Sequence, residues 1–282
     1  MRKLCTILIS TLPLLVIFSC TERIDIRLDE SNVRLVVEGS ITTETKVHSI
    51  ILSKTTSYFY SAKPPSVTGA SVSVTYGTRI VQLNEATPGV YQTDATFAGR
   101  SGRSYTLNIK LDDPVGGYTD YSATSSIPET VKLDSIELVF HPDWSEEGFW
   151  EVRSFFQDLP TSDYYRFVIY KNGMMLSDTL DEWFVTDDRF FNGGYLNGAS
   201  VAFFDQGEEK EMLVSGDEIT VELNTITKEH AGFIWDAQSE LWGSNPLFSG
   251  PPANVKGNIN NGAIGFFSAY SLSRASVIVG NK

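Results

Sequence analysis

Adjacent carboxylates are the first residues in this chain whose type and spacing could do chemistry: Asp112-Asp113, Asp187-Asp188 and Glu208-Glu209. Glycoside hydrolysis needs two carboxyls held about 5–9.5 Å apart across the scissile bond. Neighbours on a strand point to opposite faces, and adjacent loop acids are ordinarily solvated. Asp181-Glu182 and Asp187-Asp188 with Asn192 offer hard oxygen ligands of the kind calcium takes, but without the ordered spacing of an EF-hand. Nucleophilic catalysis has less to draw on. No Gly-x-Ser-x-Gly elbow occurs, and the three histidines, His48, His141 and His230, are widely scattered. His141 precedes Pro142 in an expected loop, and His230 falls early in an expected helix, where an exposed or cap-adjacent role is the plain reading. Zinc spacings and a Gly-rich phosphate loop between strand and helix are absent from the sequence. These residues predict a non-catalytic protein without a cofactor.

One cysteine has a clear chemical use. Arg2 and Lys3 precede an apolar run from Leu4 to Phe18, and Ser19-Cys20 follows before the polar Thr21-Glu22-Arg23. A basic start, a short apolar core and a small residue read as an export signal over residues 1–19. The run is short for a membrane span, which needs about 20 apolar residues. A small residue followed by Cys resembles the bacterial lipobox, with cleavage before Cys20 and lipid attached to its sulfur. Cys5 lies inside the signal, so the mature chain keeps Cys20 alone and forms no internal disulfide. Lipid there anchors a protein without spanning.

Charge narrows the partners. The chain carries 22 Lys+Arg against 35 Asp+Glu, a net charge of −13. Removing residues 1–19 takes away two positive charges, leaving 20 against 35, or −15. That balance argues against nucleic acid, whose binding draws on Lys and Arg. It also leaves membrane attachment to the lipid, since no basic amphipathic helix is evident.

The elements that must position any site are mostly strands. Residues 20–33 are polar and read as a tether that reaches roughly 40 Å if extended. Ala70–Tyr76 alternates strictly, and Ser104–Leu111 and Val131–Phe140 also alternate. Turn chemistry recurs at Pro88-Gly89 and at Asn172-Gly173, the latter a type I′ hairpin signal. The pattern predicts an N-terminal antiparallel sandwich over 34–128, of Ig-like or transthyretin-like kind. A second β-rich domain is expected over 129–282, with separate strands at Ala263–Tyr270 and Arg274–Val279. A helix near 226–242 breaks the pattern, with Thr225 or Thr227 as its cap and Trp235 and Trp242 both facing the sheet. The fold class is therefore all-β with one helix.

Aromatic loops are the candidate interaction sites. Tyr58, Phe59 and Tyr60 stand in the loop 57–68; Phe190, Phe191 and Tyr195 stand in the loop 185–198. Apolar loops of this kind mark partner surfaces.

Several runs in order carry a family resemblance: Cys20–Asp25, Leu35–Gly39, Val67–Val72, Pro88–Thr93, Gly102–Leu107, Leu133–Ile136, Pro251–Ile259 and Ala263–Ala269. Singly they are strand and turn grammar. Together they resemble the Bacteroidota outer-membrane lipoproteins grouped as domain of unknown function 4249. The resemblance implies a lipoprotein of the outer membrane, facing the cell surface, beside a TonB-dependent β-barrel receptor that imports nutrients. It carries over no catalytic residue, only Cys20 as the lipid site. The expected function is an accessory or ligand-handling subunit of such an importer. The alternative is a surface adhesin, or a glycan- or protein-binding module, independent of transport.

Overall fold

The structure is a computed structural model and describes residues 33–56, 63–242 and 255–281. Asn32–Lys282 form one compact unit. Short alternating runs broken by turn residues build the first half. Its strands are β1 (Leu35–Thr42), β2 (Ser49–Lys54), β3 (Ser71–Tyr76), β4 (Arg79–Thr87), β5 (Val90–Gln92), β6 (Ser104–Val115) and β7 (Tyr118–Ser126). The second half adds β8 (Leu133–His141), β9 (Phe149–Gln157), β10 (Tyr164–Lys171), β11 (Met174–Met175), β12 (Phe184–Asp187), β13 (Tyr195–Asp205) and β14 (Glu218–Ile226). A 3₁₀ turn (Leu180–Glu182), the α-helix α1 (Lys228–Trp242) and the last strand β15 (Ile264–Ile278) complete the described elements.

One long sheet runs β11-β10-β14-β15-β1-β2-β5-β4-β3-β6-β7, with β12 also paired to β10. A second sheet is β13-β9-β8. All-β with a single helix is thus the architecture among the described residues. The long sheet folds over a first core of Leu35, Val37, Ile50, Val72, Leu107 and their neighbours. A second core fills the space between β10–β14 and the three-stranded sheet, around Val152, Phe156, Tyr165 and Val221.

The last strand belongs to both cores. Its first half pairs parallel to β1, with Val37 opposite Gly265 and Ile41 opposite Ala269. Its second half pairs antiparallel to β14, from Ser271 opposite Thr225 to Ile278 opposite Glu218. The expected break at residues 271–273 is not a break. Its two serines are mid-strand because they hold the crossing segment between the cores. Ser271 Oγ donates to the Glu129 carbonyl at 3.3 Å. Ser273 Oγ accepts the Leu133 N–H at 2.9 Å.

Asparagines close the first core. Asn258 Oδ1 accepts the Phe267 N–H at 2.9 Å, and its Nδ2 donates to the Phe267 carbonyl at 2.7 Å. Asn260 exchanges bonds with the Ser122 backbone, and Asn261 Nδ2 donates to the Asp120 carbonyl. The open edge of β7 is thereby covered, which removes a template for stray strand pairing.

Thr227 starts the helix as expected, its Oγ1 accepting the His230 N–H at 3.2 Å. Trp235 packs against Tyr164 and donates to the Val185 carbonyl. Trp242 does not face the sheet: it is 68% exposed, and the whole last turn from Ser239 is exposed with it. Seven-residue spacing fixes the side of a helix, not whether anything lies beneath it. No helix among the described residues is long and apolar enough to cross a membrane.

Candidate functional site

Strand alternation places one face of the β1–β15 pair on the first core and leaves the other free. Val37, Ile41, Phe267 and Ala269 point into the core. Glu38, Ser40, Phe266, Ser268 and Tyr270 line the opposite side, in a cavity of about 570 Å³. The cavity is completed by Arg166 from β10, by Met175–Trp183 residues, and by His230 and Phe233 from the first turns of α1. It therefore lies where the last strand passes from one core to the other.

Arg166 is the chemical centre of this cavity. It is 7% exposed, and its Nη2 donates to Asn224 Oδ1 at 3.1 Å. Its guanidinium lies 4.5 Å from the Trp183 ring centre and 4.9 Å from that of Tyr270. Such contacts stabilise a desolvated cation through the ring quadrupoles. They do not replace a counter-ion. Among the described residues Arg166 has no carboxylate partner, and its buried Nε has no hydrogen-bond acceptor.

Glu222, two residues before Asn224 on β14, is already occupied. Glu222 accepts from Asn224 Nδ2 through one oxygen and from Arg274 Nε, at 2.8 Å, through the other. Arg274 also donates to Glu44 at 2.6 Å, and holds the Glu44 carboxyl down at about 2. A ladder of alternating charge thus ends on Arg166, at the cavity.

His230 adds a second unpartnered polar atom. It is 5% exposed, stacked on Phe266 with ring centres 5.0 Å apart, and its Nδ1 has no partner among the described residues. Burial first, and the Arg166 charge second, push its imidazole down to about 3. It is neutral at physiological pH, one nitrogen a donor and the other an acceptor. The expected exposed role for His230 is therefore wrong. The helix turns it inward with Ile234 and Gln238, at four-residue steps.

A second cluster brings together residues that lie far apart in sequence. Asp158, Asp163 and Asp188 are buried, and an oxygen of each lies within 4.8 Å of the others. Oxygen donors fit a hard cation in type. Each is also bonded by this chain. The Tyr165 hydroxyl and the Gly193 N–H donate to Asp158, Thr161 Oγ1 donates to Asp163, and the Asp163 N–H donates to Asp188. The cluster staples the β9–β10 turn to the β12–β13 loop. Of the acids the sequence suggested for calcium, Asp188 alone joins it. Asp187 pairs with Arg189, and Glu182 accepts backbone N–H groups from Asp178 and Thr179.

Burial raises the Asp158 and Asp163 carboxyls above their ordinary range, and the neighbouring acids add to it. The folded state then holds these protons more tightly than the unfolded chain. Stability present below pH 3.8 is lost as pH rises through the raised values. Asp163→Asn is expected to stabilise the protein at neutral pH and to flatten that slope. Urea unfolding from pH 4 to 8 in chelator checks this. Calcium that raises the wild-type midpoint and not the variant's would instead mark a cation site.

His141 ends β8 rather than standing in a loop. Its Nε2 lies 2.7 Å from Glu151 Oε2, while Ser200 Oγ donates to Glu151 Oε1. The carboxylate stands between hydroxyl and imidazole. A hydrolytic triad requires the imidazole between the other two.

The aromatic residues separate. Phe190 is 92% exposed and Tyr195 51% exposed, at the surface as expected. Phe191 instead packs against Phe156 and Tyr165 in the second core. Cys20, Tyr58, Phe59 and Tyr60 lie outside the described residues. Arg166 was not singled out from the sequence, although a lone charge inside Tyr164–Tyr170, otherwise wholly apolar or aromatic, is a signal that marks it.

No curated protein matches the chain. A family model described as "Domain of unknown function (DUF4249)" matches residues 21–276. That match covers nearly all of the chain beyond the signal-like start, and the chain belongs to this family.

Proposed function

We propose that this is a lipid-anchored, non-catalytic protein of the outer membrane, facing the cell surface, that handles a small ligand as an accessory subunit of a TonB-dependent nutrient importer. The observation that carries the reading is the cavity of about 570 Å³ with a buried, unpaired Arg166 and a buried, unpartnered His230. Ligand pockets are of this size and kind, mostly apolar with a few convergent polar groups. The lipobox-like run ending at Cys20 supports the anchor. A lipid and a short tether raise the local concentration of the pocket beside a receptor without any new contact.

The test is co-purification. The chain is tagged at its C-terminus, outer membranes are solubilised in mild detergent, and the bound proteins are identified. A stoichiometric β-barrel receptor is expected with the wild type, and Cys20→Ala is expected to release the protein from the membrane and lose the receptor. A lipidated protein that purifies alone would overturn the importer reading. It would favour an independent surface binder, for which exposed Phe190, Trp144 and Phe203 offer contact area.

A further inference from the structure

The cavity's own atoms say what is missing from it. Its one buried cation, Arg166, has aromatic faces beside it and a single amide acceptor, and no counter-ion among the described residues. A buried charge is costly until it is paired. The guanidinium fork matches a planar carboxylate, which accepts two parallel N–H bonds. His230, ring fixed against Phe266, adds a neutral donor or acceptor without adding a second positive charge.

The walls specify the rest of the ligand. Trp183, Phe233, Phe266 and Tyr270 line the same space. Aromatic faces bind flat apolar bodies by offset or edge contact. Glu38 and Asp178 also line it and are exposed, so the outer part carries negative charge. That arrangement disfavours a ligand with several negative charges, such as a phosphate ester. A neutral sugar would leave the cation unpaired.

We propose that the cavity between β1, β15, α1 and Met175–Trp183 binds a small organic acid: one carboxylate, held by Arg166, on a flat apolar body. The proposal rests on the ligand-handling reading above and supplies its chemistry.

Calorimetry on the full mature protein in detergent tests it. The probes are indole-3-acetate and phenylacetate, their neutral amides, the amine tryptamine, and phenyl phosphate. The acids are expected to bind at least about 30-fold more tightly than the matching amides, the size of effect a charge-assisted pair gives. Phenyl phosphate is expected to bind more weakly than the acids. Arg166→Gln is expected to bring the acids down to the level of the amides. Ser40→Phe, which fills the cavity and leaves Arg166 in place, is expected to abolish binding of both. The acid-against-amide comparison needs no variant, so a poorly folded Arg166→Gln does not blunt the test.

Equal binding of acid and amide by the wild type, or an acid preference that survives Arg166→Gln, would overturn the proposal. Tryptamine or an amide binding best, and lost in Ser40→Phe, would overturn the acid class and leave the ligand-handling reading standing. Absence of binding by every probe would overturn the acid class as well. The receptor co-purification then decides the wider reading separately.

Discussion

Gly265→Ala is expected to destabilise the protein by about 4 kcal/mol or more, among the largest effects a single methyl can have. Gly265 has φ +103°, a conformation that L side chains rarely adopt. A Cβ there would lie 2.0 Å from the Val37 carbonyl oxygen and 3.0 Å from its carbon. These are backbone atoms of its own register partner across the parallel β1–β15 pair. No rotamer relieves the clash; the strands must separate. The other side of the strand is equally tight, since a Cβ on Gly257 would meet the Gly265 carbonyl oxygen at 1.8 Å. Urea unfolding followed by far-ultraviolet circular dichroism checks the loss. Gly262→Ala is the control: φ is also positive, at +73°, but nothing lies within 4 Å, so only about 1 kcal/mol of backbone strain is expected. Equal losses in the two variants would show that steric contact at β1–β15 is not what makes Gly265 special.

Phe156→Ala is expected to cost about 3–5 kcal/mol through lost burial and a cavity that cannot fully collapse. Phe156 is 0% exposed. Its ring meets Tyr165 edge-on at 5.4 Å, and Phe167 and Phe191 at 6.3 and 6.5 Å. The loss should appear as a shift of one cooperative transition, not as the early melting of half the molecule. The reason is β15, which pairs with β1 in the first core and β14 beside the second. Tryptophan fluorescence reports the second half, where Trp144, Trp150, Trp183, Trp235 and Trp242 all lie. Circular dichroism reports both halves. Coincident shifts by the two probes are expected. A fluorescence transition that moves while much of the circular dichroism stays put would mean that the cores unfold independently.

Much of the strand layout was legible because its causes are local. Alternation over Ala70–Tyr76 marks β3, Ser71–Tyr76, and alternation over Ser104–Leu111 marks the start of β6, Ser104–Val115. Asn172 and Gly173 take φ 51° and 78°, the type I′ turn their pairing predicts. Thr227 caps the helix because the next apolar-periodic residues begin beyond it. What was not legible depends on distant chain. Ser271-Leu272-Ser273 resembles a break, and only the crossing segment at Glu129–Leu133 explains its serines. β12, Phe184–Asp187, was hidden inside an expected loop, because it forms by pairing with the edge of β10.

The candidate site was the least legible part. Its residues come from 38–40, 166, 175–183, 230–233 and 265–270, drawn together by the parallel pairing of the first and last strands. No spacing in the sequence encodes that meeting. The loop aromatics did stand out, and those among the described residues divide between surface and core. Phe190 projects outward, while Phe191 is held inward by Tyr165, with which it stacks at 6.2 Å.

The most direct test of the account is what the cavity holds in the cell. The tagged protein is purified from outer membranes of its producing cells, its bound small molecules are released, and they are identified by mass spectrometry against the Ser40→Phe variant. An acidic small molecule, close to one per chain in the wild type and absent from Ser40→Phe, is the predicted result. The same compounds recovered from both proteins would contradict the assignment of the cavity as the place where this protein handles its ligand.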